Sequence, residues 1–389
     1  MKRKILLFIF TLILVISGIT NIKAYDKYDG DYTIDYLLRN YNVVTLGTKE
    51  RYNYSIYGDV DKTKGSVTNV FDIGGPVLIR GNYTGSTNLK WDNEFAQKTN
   101  CIPSYIKGYI GDKIKAGSIE SAELSNIYVG SSNKVTENDG YYTVNNDTYK
   151  YKYPVKVSDD YVDFDKLYAA IVNEQEKISS GKKINIDQSY SAGFDYGGIK
   201  DRIVNIDKPG YYSIDDVSGV TDISILNYNP ESLYVITINS DIIQTSFPSI
   251  NIFTSSTENS KNRISTSSTE VYSGRNEKET YSGNIILNFP NARYIYTRYS
   301  IIGHIIAPKA DVELPETHYP GVIIANSVSA PTNEYTAIQF YPYTLSNKIT
   351  NNKNSTIIKE EQDIDTNDLY DGNYSIDELL KNYSVVTLG

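Results

Sequence analysis

The sequence predicts a mainly β protein, a right-handed parallel β-helix with one flanking α-helix around residues 162–178. Three observations carry this reading. Much of the chain falls into short β-branched or aromatic runs, such as "GPVLIRG" (75–81), "ESLYVITIN" (231–239) and "SINIFTS" (249–255). Gly, Asn, Asp or Pro bounds most of them. A unit Gly-x-Ile-Ile recurs as "GNIILN", "GHIIAP" and "GVIIAN" at Gly283, Gly303 and Gly321, with spacings of 20 and 18 residues. A strand returning at that interval stacks on its predecessor, and stacked coils bury a face that one coil leaves open. In "DFDKLYAAIVNEQEKISSG" (163–181), Phe164, Leu167, Tyr168, Ile171, Val172, Gln175 and Ile178 follow helical spacing. The alternative is a β-sandwich, whose hairpins give similar spacings. The coil reading puts Ile285, Ile305 and Ile323 on equivalent rungs.

The elements follow in order. Lys2, Arg3 and Lys4 precede an apolar run from Ile5 to Ile16, and a more polar stretch ends at Ala24. That is the layout of a secretory signal peptide over residues 1–24. The run is too short to span a bilayer, which takes about 20 residues. A short helix is expected from Asp35 to Asn40, followed by the strand "YNVVTLG" (41–47). The long helix starts at a cap from Asp160 or Asp163 and stops before Gly181. Residues 254–282, rich in Ser, Thr, Asn, Glu and Lys, read as an exposed loop. The main domain is expected over 28–345, with a polar linker over 346–368.

The stretch "YDGDYTIDYLLRNYNVVTLG" at 28–47 returns as "YDGNYSIDELLKNYSVVTLG" at 370–389, with 15 of 20 positions identical. The changes are mild except Tyr36 against Glu378. In the second stretch Ser375-Ile376-Asp377-Glu378 forms a capping box. Residues 369–389 therefore read as the start of a second copy that is cut short. Tandem copies raise avidity through effective concentration.

Composition narrows the function. The formal net charge is −9, and no basic block follows the first residues, which argues against a nucleic-acid partner. Cys101 is the only cysteine, so no intrachain disulfide forms and the fold depends on core burial.

The ordered set of "YNVVTLG" (41–47), "FDIGGPVLIRGN" (71–82), the helix at 162–178 and "IIGHIIAPKADVELPETHYPGVIIANSVSA" (301–330) resembles the choice-of-anchor A domain of bacterial surface proteins. The resemblance covers roughly residues 30–345. It implies an adhesive β-helix at the cell surface or cell wall, held by an anchor outside this sequence. The family often closes on Glu-x-His and a Pro-Phe pair. Here Glu334 is followed by Tyr335 and Thr336, and the close is "FYPY" (340–343), so the histidine is missing.

A search for chemistry yields no catalytic residue. Cys101 with His304 or His318 lacks an orienting group. His304 reads as a surface position or ladder filler. The two histidines do not make a zinc site. Asp26, Asp29, Asp31 and Asp35 offer oxygens for calcium, but without the spacing of a calcium loop. No cofactor is otherwise expected. "LPETH" (314–318) differs from a sortase signal at His318 and reads as a turn between coils. Acids in "FDYGGIKDR" (194–202) and "IDD" (214–216) show no convergence of the kind a polysaccharide-cleaving β-helix needs. The 37 tyrosines supply stiff, amphipathic contact area. The dense clusters are "YKYKYP" (149–154), "YIYTRY" (294–299) and "YPY" (341–343), which make Tyr294, Tyr296, Tyr299, Tyr341 and Tyr343 the candidate ligand contacts. The expected function is a secreted, non-enzymatic adhesin that binds an extracellular protein or glycan through a solenoid face. The alternatives are a carbohydrate-active β-helix enzyme and a ligand-free stalk module.

Overall fold

The computed structural model describes residues 28–48, 64–68, 72–84, 88–89, 102–111, 127–145, 154–184, 202–215, 217, 219–243, 248–256, 263–264, 283–297, 301–314, 319–330, 339–341, 345 and 349. They form a parallel β-helix with two helices on one face. Its main wall contains eleven strands: β1 (Val43–Thr45), β2 (Val77–Ile79), β3 (Ser104–Ile106), β4 (Ile127–Val129), β5 (Val155–Val157), β6 (Lys182–Lys183), β7 (Gly210–Ile214), β8 (Tyr234–Ile238), β9 (Ile285–Asn288), β10 (His304–Glu313) and β11 (Ile323–Ser329). Their spatial order is β5-β4-β3-β2-β1-β11-β10-β9-β8-β7-β6. Every neighbouring pair in this wall is parallel. Among the described residues, antiparallel pairing is confined to the hairpin 135–144 and the pair Ile252–Phe253 with Arg263–Ile264. This pairing rules out the sandwich.

The order has an unexpected feature. The first strand lies in the middle of the wall. The chain builds outward from β1 to β5, crosses to the opposite end, and builds back from β6 until β11 pairs with β1, as Val43↔Ile323 and Val44↔Ile324. The crossing is made by α2 (Phe164–Ile178), fifteen residues or about 22 Å of helix. The α2 N-cap is Asp163, whose side chain accepts from Lys166 N–H at 3.0 Å. The helix α1 (Ile34–Asn40), capped by Thr33, runs into β1. Glu174 of α2 accepts the Ile34 N–H at 2.6 Å, which places a carboxylate at the positive end of α1.

Each coil continues into further walls. Ile242–Ile243, Tyr294–Tyr296, the ends of β10 and β11, Val67–Thr68 and Tyr83–Thr84 stack in parallel as a second wall. Arg202–Ile206, Val220–Ile225 and Ser249–Phe253 form one part of a third. Tyr319–Pro320, Gln339–Tyr341, Asp72–Ile73 and Asn88–Leu89 form another. Inward residues of all the walls, among them Val43, Ile305, Ile323, Val312, Val328, Ile223 and Ile250, share one core. The opposite face of the main wall is buried too. Val44, Leu78, Val235, Ile286, Ile306 and Ile324 pack under Leu37, Leu38, Leu167, Ile171 and Ile178 of the helices. Burial on both faces explains why the strands read as continuous apolar runs without alternation.

Ile305 and Ile323 are rung partners as predicted, but Leu287 completes the rung in place of Ile285. The slip is two residues. Because side chains alternate with period two, both Ile285 and Leu287 still point into the core. The corner after β2 demands glycine. A Cβ on Gly81 would strike the Lys64 carbonyl, and one on Gly108 the Gly81 carbonyl of the next coil.

Residues beyond 345 still touch this domain. The buried Leu345 donates its N–H to Leu38 O at 3.0 Å, and Ile349 N–H reaches Asp35 Oδ1 at 3.0 Å. The compact unit runs to Asn352.

Candidate functional site

Where the chain leaves β5 and turns into α2, aromatic side chains from distant segments meet. Tyr161 stacks on Tyr128 with ring centroids 3.9 Å apart and an interplanar angle of 10°. Tyr105 stacks on Phe164 at 5.8 Å and meets Tyr161 edge-on at 5.4 Å. Tyr28 joins from the N-terminal side, edge-on to Tyr32 at 5.2 Å and to Tyr161 at 6.2 Å. Its backbone N–H donates to Tyr161 O at 2.8 Å. Edge-to-face and stacked pairs of this kind each contribute about 0.5–1.5 kcal/mol beyond area burial.

Beside this cluster opens a cleft of about 420 Å³, lined by Tyr28, Tyr32, Arg80, Lys107, Asp159, Asp160, Tyr161, Val162, Asp163, Phe164 and Asp165. That volume lies in the range of small-molecule sites, roughly 300–1,000 Å³. Arg80 is positioned by Asp165 at 2.7 Å and by the Leu46 carbonyl at 3.2 Å. Asp159 accepts the Ser131 N–H at 2.7 Å, and this bond holds its carboxyl below the usual carboxylate range. Burial pushes the Tyr28 and Tyr161 hydroxyls far above the usual tyrosine range, so both remain protonated donors. The Lys166 ammonium lies 4.9 Å from the Tyr32 ring centroid. The cleft thus combines carboxylate acceptors, cationic donors and aromatic surface.

The sequence-predicted contacts fare differently. Tyr294 is fully buried in the second wall, and its hydroxyl donates to Glu313 Oε2 at 2.5 Å. This is a correction: Tyr294 supports the wall and presents no contact area. Tyr296 is half-buried on the same strand. Tyr341 lies in the third-wall strand Gln339–Tyr341, while Tyr299 and Tyr343 lie outside the described residues. Sequence reasoning missed Tyr28, Tyr32 and Tyr161. Tyr28 and Tyr32 stand four residues apart and Tyr161 follows an Asp pair, but nothing in one dimension joins positions more than 120 residues apart.

The other candidates also resolve. His304 is fully buried and spans coils through both ring nitrogens, to Gly283 O and Val322 N. Cys101 and His318 lie outside the described residues, as does Asp26. Asp29 and Asp31 are exposed, and Asp35 pairs with Arg39 at 2.8 Å. Among the described residues, no group of three or more His, Cys, Asp or Glu is arranged to hold a metal ion. Asp215 pairs with Lys183 at 2.5 Å and accepts from Asn239 at 3.2 Å, which engages one acid of the "IDD" stretch.

The model of the family described as "Putative Ice-binding-like adhesive domain" matches residues 37–336. The chain belongs to this family. The adhesive-domain match takes in the second half of α1, all of α2 and the whole main wall. Two solved structures of an ice-binding protein from Arctic yeast align with the chain. The glycosylated form is 11% identical with a TM-score of 0.29, covering 81% of this chain and 96% of that one. The second is 9% identical with a TM-score of 0.25, covering 74% and 94%. The coil assignment rests on the strand registers described above. No curated protein matches the chain. No helix among the described residues is long and apolar enough to cross a membrane.

Proposed function

We propose that this adhesive domain is exported to the cell surface and binds an extracellular glycan or protein through the tyrosine-lined cleft at the start of α2. The carrying observation is the convergence of Tyr28, Tyr32 and Tyr161 with Arg80, Lys107, Asp159 and Asp160 around one opening. Hydroxyl-rich ligands need acceptors, donors and a flat apolar surface together, and few places on a solenoid offer all three. The layout of residues 1–24 supports export, and the resemblance to choice-of-anchor A domains supports attachment by an element outside this sequence. The reading is non-enzymatic, and its support is the family's description as an adhesive domain. Purified protein should bind members of a glycan and matrix-protein panel, and Tyr32→Ala with Asp160→Ala should weaken that binding at least tenfold. Release of reducing sugar or unsaturated product from any polysaccharide would overturn the non-enzymatic reading.

A second reading follows the family's description as ice-binding-like: the domain binds an ordered surface such as ice, and an assay of ice recrystallisation separates the two readings.

A further inference from the structure

We infer that the ligand of the cleft is a sugar bearing a free, protonated amine, a hexosamine-type glycan; this rests on the cleft being the binding site, as proposed above. The lining is acidic. Four carboxylates, those of Asp159, Asp160, Asp163 and Asp165, stand against two cations, Arg80 and Lys107. Asp165 holds Arg80 at 2.7 Å, and Asp163 caps α2 through the Lys166 N–H at 3.0 Å. Asp159 and Asp160 are left to set the character of the opening. Both are exposed. Each has its Oδ1 on a nearby serine, Asp159 on the Ser131 N–H at 2.7 Å and Asp160 on the Ser158 hydroxyl at 3.2 Å. A carboxylate accepts about four hydrogen bonds, so both keep capacity toward a ligand. An acidic sugar meets a surplus of negative charge here, and a neutral one gains nothing from that charge. A protonated amine gains charge-assisted bonds, roughly twice as strong as neutral ones. Among the described residues no three acids are arranged to hold a metal ion, which sets these carboxylates apart from a metal cage.

A buried donor lies beside those carboxylates. Tyr105 is 0% exposed, and its hydroxyl has no hydrogen-bond partner among the described residues. Its ring packs against Phe164 and Tyr161, both of which line the cleft, and the charges that act on its hydroxyl are those of Asp159 and Asp160. Burial keeps that hydroxyl protonated, so it can donate. A buried donor is costly until an acceptor meets it. The ligand must therefore bring a cation for the carboxylates and, next to it, an oxygen for Tyr105. A hexosamine carries amine and hydroxyl on adjacent carbons and supplies both. A lysine or arginine side chain supplies donors alone, so it answers Asp159 and Asp160 but not Tyr105. The rings of Tyr28 and Tyr32 add the flat apolar surface on which the C–H face of a sugar rests.

Calorimetric titration of the purified chain tests this with probes of matched length: a glucosamine oligosaccharide, its fully N-acetylated counterpart and a glucuronate oligosaccharide. The amine form should bind roughly tenfold more tightly than either of the others, because it alone gains charge-assisted bonds. That advantage should shrink as salt is added. Asp160→Asn keeps the shape of the side chain, removes its charge and should abolish most of the advantage. Tyr105→Phe should weaken the amine form several-fold without lowering the melting midpoint, since it removes an unmet donor and keeps the ring. If the acetylated or the acidic probe binds as well as the amine form, and Tyr32→Ala abolishes that binding, the amine assignment falls while the cleft remains the site. If binding of every probe and panel member is indifferent to Tyr32→Ala, the cleft reading and the amine assignment fall together. A lysine-rich peptide that matches the glucosamine probe and is indifferent to Tyr105→Phe overturns the sugar in favour of a basic protein.

Discussion

His304 ties three successive coils together: its Nδ1 accepts the Val322 N–H at 3.1 Å, while its Nε2 meets the Gly283 carbonyl at 3.2 Å. An amide N–H can only donate, so Nδ1 is the acceptor and Nε2 carries the proton. The ring is therefore neutral. Burial lowers its pKa from 6.5 to about 4.

That geometry gives a pH dependence with a definite sign. The unfolded chain takes up the histidine proton below about pH 6.5, and the folded chain does so only near pH 4. Stability from this group is complete above pH 6.5 and is lost as pH falls toward 4, by on the order of 3 kcal/mol. Urea melts at pH 7 and pH 4.5 should show the drop in the parent chain. His304→Gln should flatten the difference, and an equal drop in both would assign the effect to carboxylates instead.

Gln175 fixes the position of α2 on the wall. Its Nε2 donates to Asn288 Oδ1 at 2.8 Å and to Ile306 O at 3.1 Å, and Asn288 in turn donates to Thr237 and Ser179 at 3.0 Å each. Gln175→Ala leaves buried acceptors unmet and should cost about 1–3 kcal/mol, measured by denaturant unfolding.

Ile305 lies at the centre of the inner rung and is 0% exposed. Ile305→Ala should destabilise by about 2–5 kcal/mol. Val157, on the edge strand β5 and 51% exposed, should lose under 0.5 kcal/mol on the same change. A thermal melt of the two variants side by side checks the core assignment.

Tyr161 and Asp160 are neighbours with separable roles. Tyr161 is the hub of the aromatic cluster, so Tyr161→Ala should cost about 3–5 kcal/mol of stability. Asp160 is exposed at the cleft, so Asp160→Ala should leave the melt unchanged and affect ligand binding only. Loss of stability from Asp160→Ala would mean that the cleft wall is structural.

The solenoid was legible in the sequence because its signal is local and repeated. The Gly-x-Ile-Ile units lie within 40 residues of one another, and the period of α2 and the polarity of Asp163 suffice to place that helix. Strand order was not legible. The pairing of Val43 with Ile323 joins positions 280 residues apart, and the sequence of β1 looks the same whether it caps an end or closes the middle. Register was half legible: period two kept Ile285 and Leu287 on the inner face, but only backbone pairing decides which of them meets Ile305. The cleft was invisible for the same reason as the strand order. Density of tyrosine pointed to Tyr294, which the wall buries, while Tyr28 and Tyr161 are distant in the sequence and become neighbours only in the folded chain.

The central position of β1 has a mechanical meaning. The chain enters the domain through α1, and its last described contacts return there: Leu345 is hydrogen-bonded to Leu38 and to Arg39, and Ile349 to Asp35. Tension between the two ends therefore passes through a few residues around α1 and does not stretch the stacked coils. The wall, roughly 48 Å long at ten strand spacings, hangs beside the line of force as a rigid side arm. Under such tension the stacked coils keep their shape while the junction at α1, beside the Tyr28 and Tyr32 edge of the cleft, takes the load, and the first element to yield is the one whose sequence the chain carries twice.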